Sequence, residues 1–255
     1  MSKSIDVRIV SVSEPAEANA AAVFVHGIAG HFLNSWGPEG LPGTFLKRLS
    51  FDLPHVAVFT ADYPSDMDRV IDDDALTLQR LVDCWADKLG YSLMNRFTSV
   101  AVIGYCLGGL LTTMAIRQWF HRDTRWSQRL FSHEDRMMLL LLDVLHQVPT
   151  KEDQKDGLVG LRSALQCNEL AFQKNVDFWK KLVGSSHVGE GLPIEVHALL
   201  SQGDSFVRSW SPHAHLPKNR VHQTDVSHEN LTRPPLSGAF FTYDFVVDRI
   251  REFGC

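Results

Sequence analysis

The chain has 255 residues, 44% hydrophobic and 22% charged, with 25 basic against 30 acidic side chains. That length supports one large core without disulfides or metals, and the hydrophobic fraction excludes a disordered chain. The negative balance and the lack of a basic stripe exclude nucleic-acid binding through phosphate neutralisation: Arg117, Arg122, Arg125 and Arg129 are interrupted by Asp123 and aromatic residues.

Taken in chain order, strand and helix signals alternate. Met1 to Val10 mixes charged and apolar residues and lacks the apolar stretch of a secretion signal, so a cytoplasmic location is expected. Ile5 to Val12 alternates as a half-buried edge strand, and Ala21 to Val25 is the continuous apolar run of a central parallel strand. A Gly- and Pro-rich loop, Gly27 to Gly43, leads to a short helix near Thr44 to Ser50 and a strand at Val56 to Thr60. Asp72, Asp73 and Asp74 stand where a helix start welcomes negative charge. Leu78, Leu81, Val82, Trp85 and Leu89 then mark one face of a helix over Ala75 to Leu89.

Ser99 to Gly104 is a buried strand followed at once by a helix through Phe120. Met137 to Val144 is a strongly apolar strand, too short at Asp143 to approach the ~18 residues of a membrane span. Asp156 to Val183 carries helical periodicity, Ile194 to Leu200 and Arg220 to Thr224 are the last strands, and Ser237 to Phe253 is a closing helix. The alternation predicts an α/β fold with a mostly parallel central sheet and helices on both faces. The domain boundary is 1–255, with 122–192 as a possible cap or insert. Trp119, Phe120, Trp126 and Phe131 form a hydrophobic seam between helix and insert, or the lining of an acyl pocket.

The stretch Gly104-Tyr-Cys106-Leu-Gly108 connects a strand to a helix through a turn so sharp that its central residue carries a strained backbone. Glycines on either side remove the clashes, and the central side chain stands above the sheet over a helix N-terminus: a nucleophile elbow with Cys106 at its centre. A free thiol ionises near pH ~8.5, and an imidazole together with a helix N-terminus favours the thiolate, which makes cysteine a competent nucleophile. Cys84, Cys167 and Cys255 are widely spaced, with no CxxC pair, and read as packing or surface residues.

The remaining parts of an acyl-transfer site follow from position. Two N–H groups must face the oxygen of a tetrahedral intermediate. Leu107 follows the nucleophile, and Ile28 follows His26-Gly27 at the end of an early strand, where the small Gly27 allows close approach. Of 12 histidines, His228 lies beyond the last short strand and before the final helix, the place for the base. His222 falls within that strand, and His213 and His215 in a loop. The carboxylate that orients the imidazole should follow the preceding strand, where Gly203 and Asp204 form a turn 24 residues before His228. Asp143, at the end of the apolar strand, is the other acid position; Asp225 is disfavoured by its nearness to His228.

Together these residues resemble the α/β-hydrolase superfamily, over roughly Ala21 to Phe253. Val23-Phe-Val-His-Gly-Ile-Ala-Gly-His31 followed by Trp36 is similar to the lipase-like serine esterases, including serine-active-site-containing proteins and the hydrolase domains of STAND-type immune receptors. Ser227 to Pro234 fits their base segment, and Gly203 to Val207 loosely fits their acid segment. Those proteins carry serine at the elbow; Gly104-Tyr-Cys-Leu-Gly-Gly109 is instead similar to the cysteine elbow of dienelactone hydrolase.

The resemblance implies hydrolysis of a carboxylic ester or thioester, lipid substrates included, by Cys106, His228 and Asp204 through a thioacyl-enzyme. Ile28 and Leu107 form the oxyanion hole, and neither cofactor nor metal takes part. The expected partner is a small-molecule or lipid acyl substrate, without nucleic acid or a transmembrane segment. An acyltransferase using the same intermediate and a non-catalytic binding module are the alternatives. A tie to a larger immune or signalling assembly is not legible in the residues.

Overall fold

The computed structural model describes residues 6–65, 74–122, 128–130, 132, 134–144, 169–184, 194–201, 216–235 and 239–254. Seven described strands make one sheet: β1 (Arg8–Ser13), β2 (Ala20–Val25), β3 (Val56–Asp62), β4 (Ser99–Tyr105), β5 (Arg136–Leu142), β6 (Ile194–Ser201) and β7 (Val221–Thr224). Their order is β1-β3-β2-β4-β5-β6-β7. β1 runs antiparallel on the edge and every other pairing is parallel, as expected of a mostly parallel sheet with one half-exposed edge. β2, β4 and β5 are continuous apolar runs because both of their faces are covered.

Alternate residues separate the two halves of the core. Val23, Val25, Val100, Val102, Leu139 and Leu141 face α2 (Asp74–Asp87), α3 (Leu107–Arg122) and α4 (Glu169–Gly184). Phe24, Ile103, Met138, Leu140 and Leu142 face α1 (Thr44–Asp52) and α5 (Phe241–Glu252). Trp36 in the glycine-rich loop is fully buried, with its ring 5.0 Å from Phe24, which pins that loop to the second half of the core. The helix expected to end at Leu89 instead widens into a π-helical turn over Lys88–Met94. There the indole N–H of Trp119 donates to the Ala86 carbonyl at 2.7 Å; a polar group inserted into the helical ladder is a recognised cause of such irregularity.

Of the candidate cap, 123–127 (with Trp126), Phe131, 145–168 and 185–192 lie outside the described residues. Its described helix, α4, packs on α3. Asn175 donates its amide to the Thr113 hydroxyl at 3.0 Å, and the Trp179 indole N–H donates to the Thr113 carbonyl at 3.2 Å. No described helix is long and apolar enough to cross a membrane. Trp179 is 3% exposed, so Trp179→Ala should cost ~3–5 kcal/mol in urea unfolding. A loss under ~1 kcal/mol would contradict an anchored α4.

Candidate active site

The parallel strands β2, β4, β5 and β6 end on the same edge, and each delivers one part of the site. β4 passes into α3 through Cys106, whose φ is 50°. This is the left-handed region, a conformation that costs a non-glycine residue ~1–3 kcal/mol. The Cys106 amide is tied to the Leu142 carbonyl at 3.0 Å, so the turn is held by the neighbouring strand. A Cβ on Gly104 would stand 2.4 Å from the Gly109 Cα, and one on Gly108 would stand 2.2 Å from the Val25 carbonyl oxygen. Both obstacles are backbone, so the elbow admits only glycine at those positions. The thiol-bearing residue is nevertheless nearly enclosed, at 6% exposure.

β2 leads into His26-Gly27-Ile28. A methyl group at Gly27 would lie 2.9 Å from the Cys106 Cβ, which puts this loop directly against the elbow. The loop is stitched almost throughout. His26 Nδ1 lies 2.9 Å from the Gly27 carbonyl, the Gly30 amide donates to the same carbonyl at 3.2 Å, and the Ala29 amide donates to Ser65 at 2.9 Å. Because a trans peptide sets N–H opposite C=O, holding the Gly27 carbonyl also aims the Ile28 N–H. Among the described residues, neither the Ile28 nor the Leu107 N–H has a hydrogen-bond acceptor. Two backbone donors thus stand free beside the thiol. His26 stacks on Tyr63 with ring centroids 4.2 Å apart, and burial lowers its pKa to about 4. It is therefore a neutral part of the scaffold.

His228 opens a three-residue 3-10 turn beyond β7. Its Nδ1 lies 3.2 Å from Oδ2 of Asp143, and its imidazole is also hydrogen-bonded to Cys106. With Nδ1 donating to the carboxylate, Nε2 is the nitrogen left for the thiol. Asp143 follows β5, is completely buried, and has a φ of 42°. Its Oδ1 accepts the Ser201 amide at 2.7 Å, and its Oδ2 also accepts the Ser201 hydroxyl. Burial draws the His228 pKa down, but the hydrogen bonds to Asp143 and Cys106 and the charges of both outweigh it, raising the value to about 10.

The expected residues Cys106, His228, Ile28 and Leu107 thus meet at one place. Asp204 lies outside the described residues, and the carboxylate against His228 is Asp143, one strand earlier than the favoured position. The signal for it was a lone acid closing an apolar strand. Ser201, and the Tyr105 hydroxyl that donates to the His228 carbonyl at 2.9 Å, carried no motif. His222 lies within β7, its ring 4.8 Å from Phe245. Cys84 is half-buried on α2, and Cys167 and Cys255 fall outside the described residues, as do His213 and His215. Among the described residues, no group of three or more His, Cys, Asp or Glu could hold a metal ion.

No family model matches the chain, and no curated protein sequence matches it. Solved structures do. The chain is similar to a lipase-esterase related protein from Clostridium acetobutylicum (12% identity, TM-score 0.51, covering 97% of this chain and 99% of that one). It is similar to carboxyl esterase 2 from the fungus Tuber melanosporum (10%, TM-score 0.53, covering 99% and 87%). It is also similar to the alpha/beta hydrolase domain-containing protein 10 from mouse (11%, TM-score 0.50, covering 99% and 95%). The chain has the α/β-hydrolase fold; at these identities the likeness is one of fold.

The raised His228 pKa has a definite sign in stability. A folded value of about 10 against 6.5 without the partners means that the stabilisation is whole below pH 6.5. It is lost as the pH rises through 10. The stability gap between the parent and His228→Gln, from denaturant titrations at several pH values, should be widest below pH 6.5 and close towards 10. A gap that is flat or widening over that window would contradict the pairing.

Proposed function

We propose that the protein hydrolyses a carboxylic ester or thioester through a Cys106–His228–Asp143 triad and a thioacyl-enzyme. The observation that carries this reading is the His228 imidazole, bonded on one side to a buried carboxylate and on the other to the thiol of a strained elbow residue. The likeness in fold to esterases agrees with it, as does the resemblance of the His26 to His31 and Ser227 to Pro234 segments to lipase-like esterases.

The Cys106 thiolate attacks the acyl carbon, forming a C–S bond as the carbonyl electron pair moves onto oxygen. The N–H groups of Ile28 and Leu107 receive that oxyanion, a contribution worth ~10²–10³ in rate for one donor. Collapse expels the alcohol or thiol, which takes the proton from Nε2 of His228. The imidazole, now neutral, removes a proton from water as the water attacks the thioester. Collapse of the second tetrahedral species frees the carboxylic acid and restores the thiolate–imidazolium pair. Asp143 keeps Nδ1 protonated throughout and stabilises the imidazolium, a buried acid's usual contribution to such a site.

Initial rates on p-nitrophenyl esters from acetyl to palmitoyl test the reading. Cys106→Ala should abolish turnover, and the chain-length profile of the parent gives the acyl size. Turnover surviving in Cys106→Ala, or none in the parent on any ester or thioester, overturns it; product appearing only with an added alcohol or amine would indicate acyl transfer instead. Asp143→Asn and Asp204→Asn separate the two acids. The first should lower kcat by ~10²–10⁴ and the second should leave it within a few-fold. The reverse pattern would return the acid role to Asp204.

A further inference from the structure

Tyr105 is the residue of the elbow to which neither the turn nor the triad assigns a task. It closes β4, immediately before Cys106, yet it touches two other parts of the site. Its hydroxyl donates to the backbone carbonyl of His228 at 2.9 Å, across 123 residues of sequence, and the two rings lie 5.0 Å apart at 34°. On its other side, a methyl group at Gly27 would stand 3.2 Å from Cδ1 and Cε1 of the tyrosine. The ring is thus wedged between the oxyanion loop and the base while its backbone is continuous with the nucleophile.

The base needs such a tie. His228 sits on a 3-10 turn of three residues with no side-chain cap. The bonds local to this segment include a Leu231 amide at 3.3 Å on the same carbonyl, Asn230 to Ser227 at 3.0 Å, and Val226 to the Thr224 hydroxyl at 3.2 Å. The first two would travel with the turn if it shifted, and the third, from two residues before His228, runs back to the end of β7. Asp143 holds the imidazole at its tip but does not fix the backbone behind it. The Tyr105 hydroxyl supplies that second point, from the strand that carries the thiol.

We propose that Tyr105 is a positioning residue: its hydroxyl fastens the backbone of His228 to the strand end bearing Cys106, so that base and nucleophile keep one geometry. Burial first, and then the charges of Cys106 and Asp143, hold its phenol far above the ordinary range. It therefore stays a donor at every working pH, with Arg233 and Glu229 the other charged groups acting on it. The proposal rests on the acyl-transfer reading above for its consequence in rate, and on geometry alone for its consequence in the imidazole.

Tyr105→Phe keeps the ring and removes only the oxygen. It should lower kcat by ~10-fold or more with KM within about twofold, since misplacement by ~1 Å of a catalytic group costs on the order of 10². An NMR titration of the His228 ring should show its pKa falling back towards the ordinary histidine value, with the melting temperature close to the parent's.

A residue that merely fills space would leave the His228 titration unmoved. That titration, unchanged in Tyr105→Phe, overturns the proposal whether or not an ester is turned over. Should the parent cleave no ester or thioester while the His228 titration still shifts in Tyr105→Phe, the acyl-transfer reading fails and the positioning stands. If Tyr105→Phe does not fold, the hydroxyl is structural and the proposal falls.

Discussion

The turn at Cys106 is the constraint on which the rest of the site depends. A strand must become a helix within one residue, and the chain accepts a left-handed backbone at a non-glycine position to do so. Nothing local favours this. It persists because the elements around it are over-determined: the Leu142 carbonyl holds the Cys106 amide, Gly104 lies against Gly109, and Gly108 lies against the end of β2. The close approach of Gly108 to Val25 in turn brings the Ile28 loop to the thiol. The strain that lifts the nucleophile therefore also assembles the pair of N–H donors beside it. Among the described residues, the other non-glycine residues with positive φ are Ala29 and Asp143. Both sit on the same edge of the sheet, so backbone strain is concentrated at the candidate site.

The acid illustrates how a parallel sheet distributes such roles. Successive strands end at similar heights, so the end of β5 and the end of β6 are neighbouring platforms one strand spacing of ~4.8 Å apart. A carboxylate on either is within reach of a loop after β7. Here β5 carries Asp143, and β6 contributes Ser201, which supplies an amide and a hydroxyl to that carboxylate. A buried carboxylate without donors would be expensive; with two from Ser201 and one from His228, its oxygens are satisfied and its direction is set. The end of β6 thus supplies two donors to the carboxylate at the end of β5.

What the sequence disclosed follows from the range of each signal. Gly-x-Cys-x-Gly between an apolar strand and a helix is local, and it singled out Cys106 and Leu107 as candidates. His26-Gly27 after β2, and His228 before the last helix, are local patterns placed by chain order, and the strand sequence preserves that order. The orienting acid is different. Asp143 and Asp204 both follow apolar strands, and only the lateral position of β5 and β6, with the direction of one side chain, distinguishes them. Ser201 and Tyr105 were illegible for the same reason: a hydroxyl that bonds to a residue 58 or 123 positions away leaves no trace in spacing. The π-helical turn at Lys88–Met94 was hidden because the indole bonded beside it belongs to Trp119 on another helix.

In the proposed mechanism, a cysteine on this framework changes how the base must behave during a cycle. The His228 pKa is raised partly by the charge of Cys106, so the imidazole is protonated while the thiolate is free and can donate to a leaving group as soon as one forms. Once the sulfur is acylated its charge is gone, and with it one of the causes that hold the proton on His228. Burial, the leading influence in the opposite direction, is unaffected. The imidazolium therefore becomes the stronger acid, gives up its proton, and leaves a free base at the step where water must be activated. Asp143 and the backbone tie from Tyr105 keep it in register while its charge alternates. In that mechanism the switch from acid to base thus needs no movement of the histidine, only the appearance and loss of one negative charge on the neighbouring sulfur.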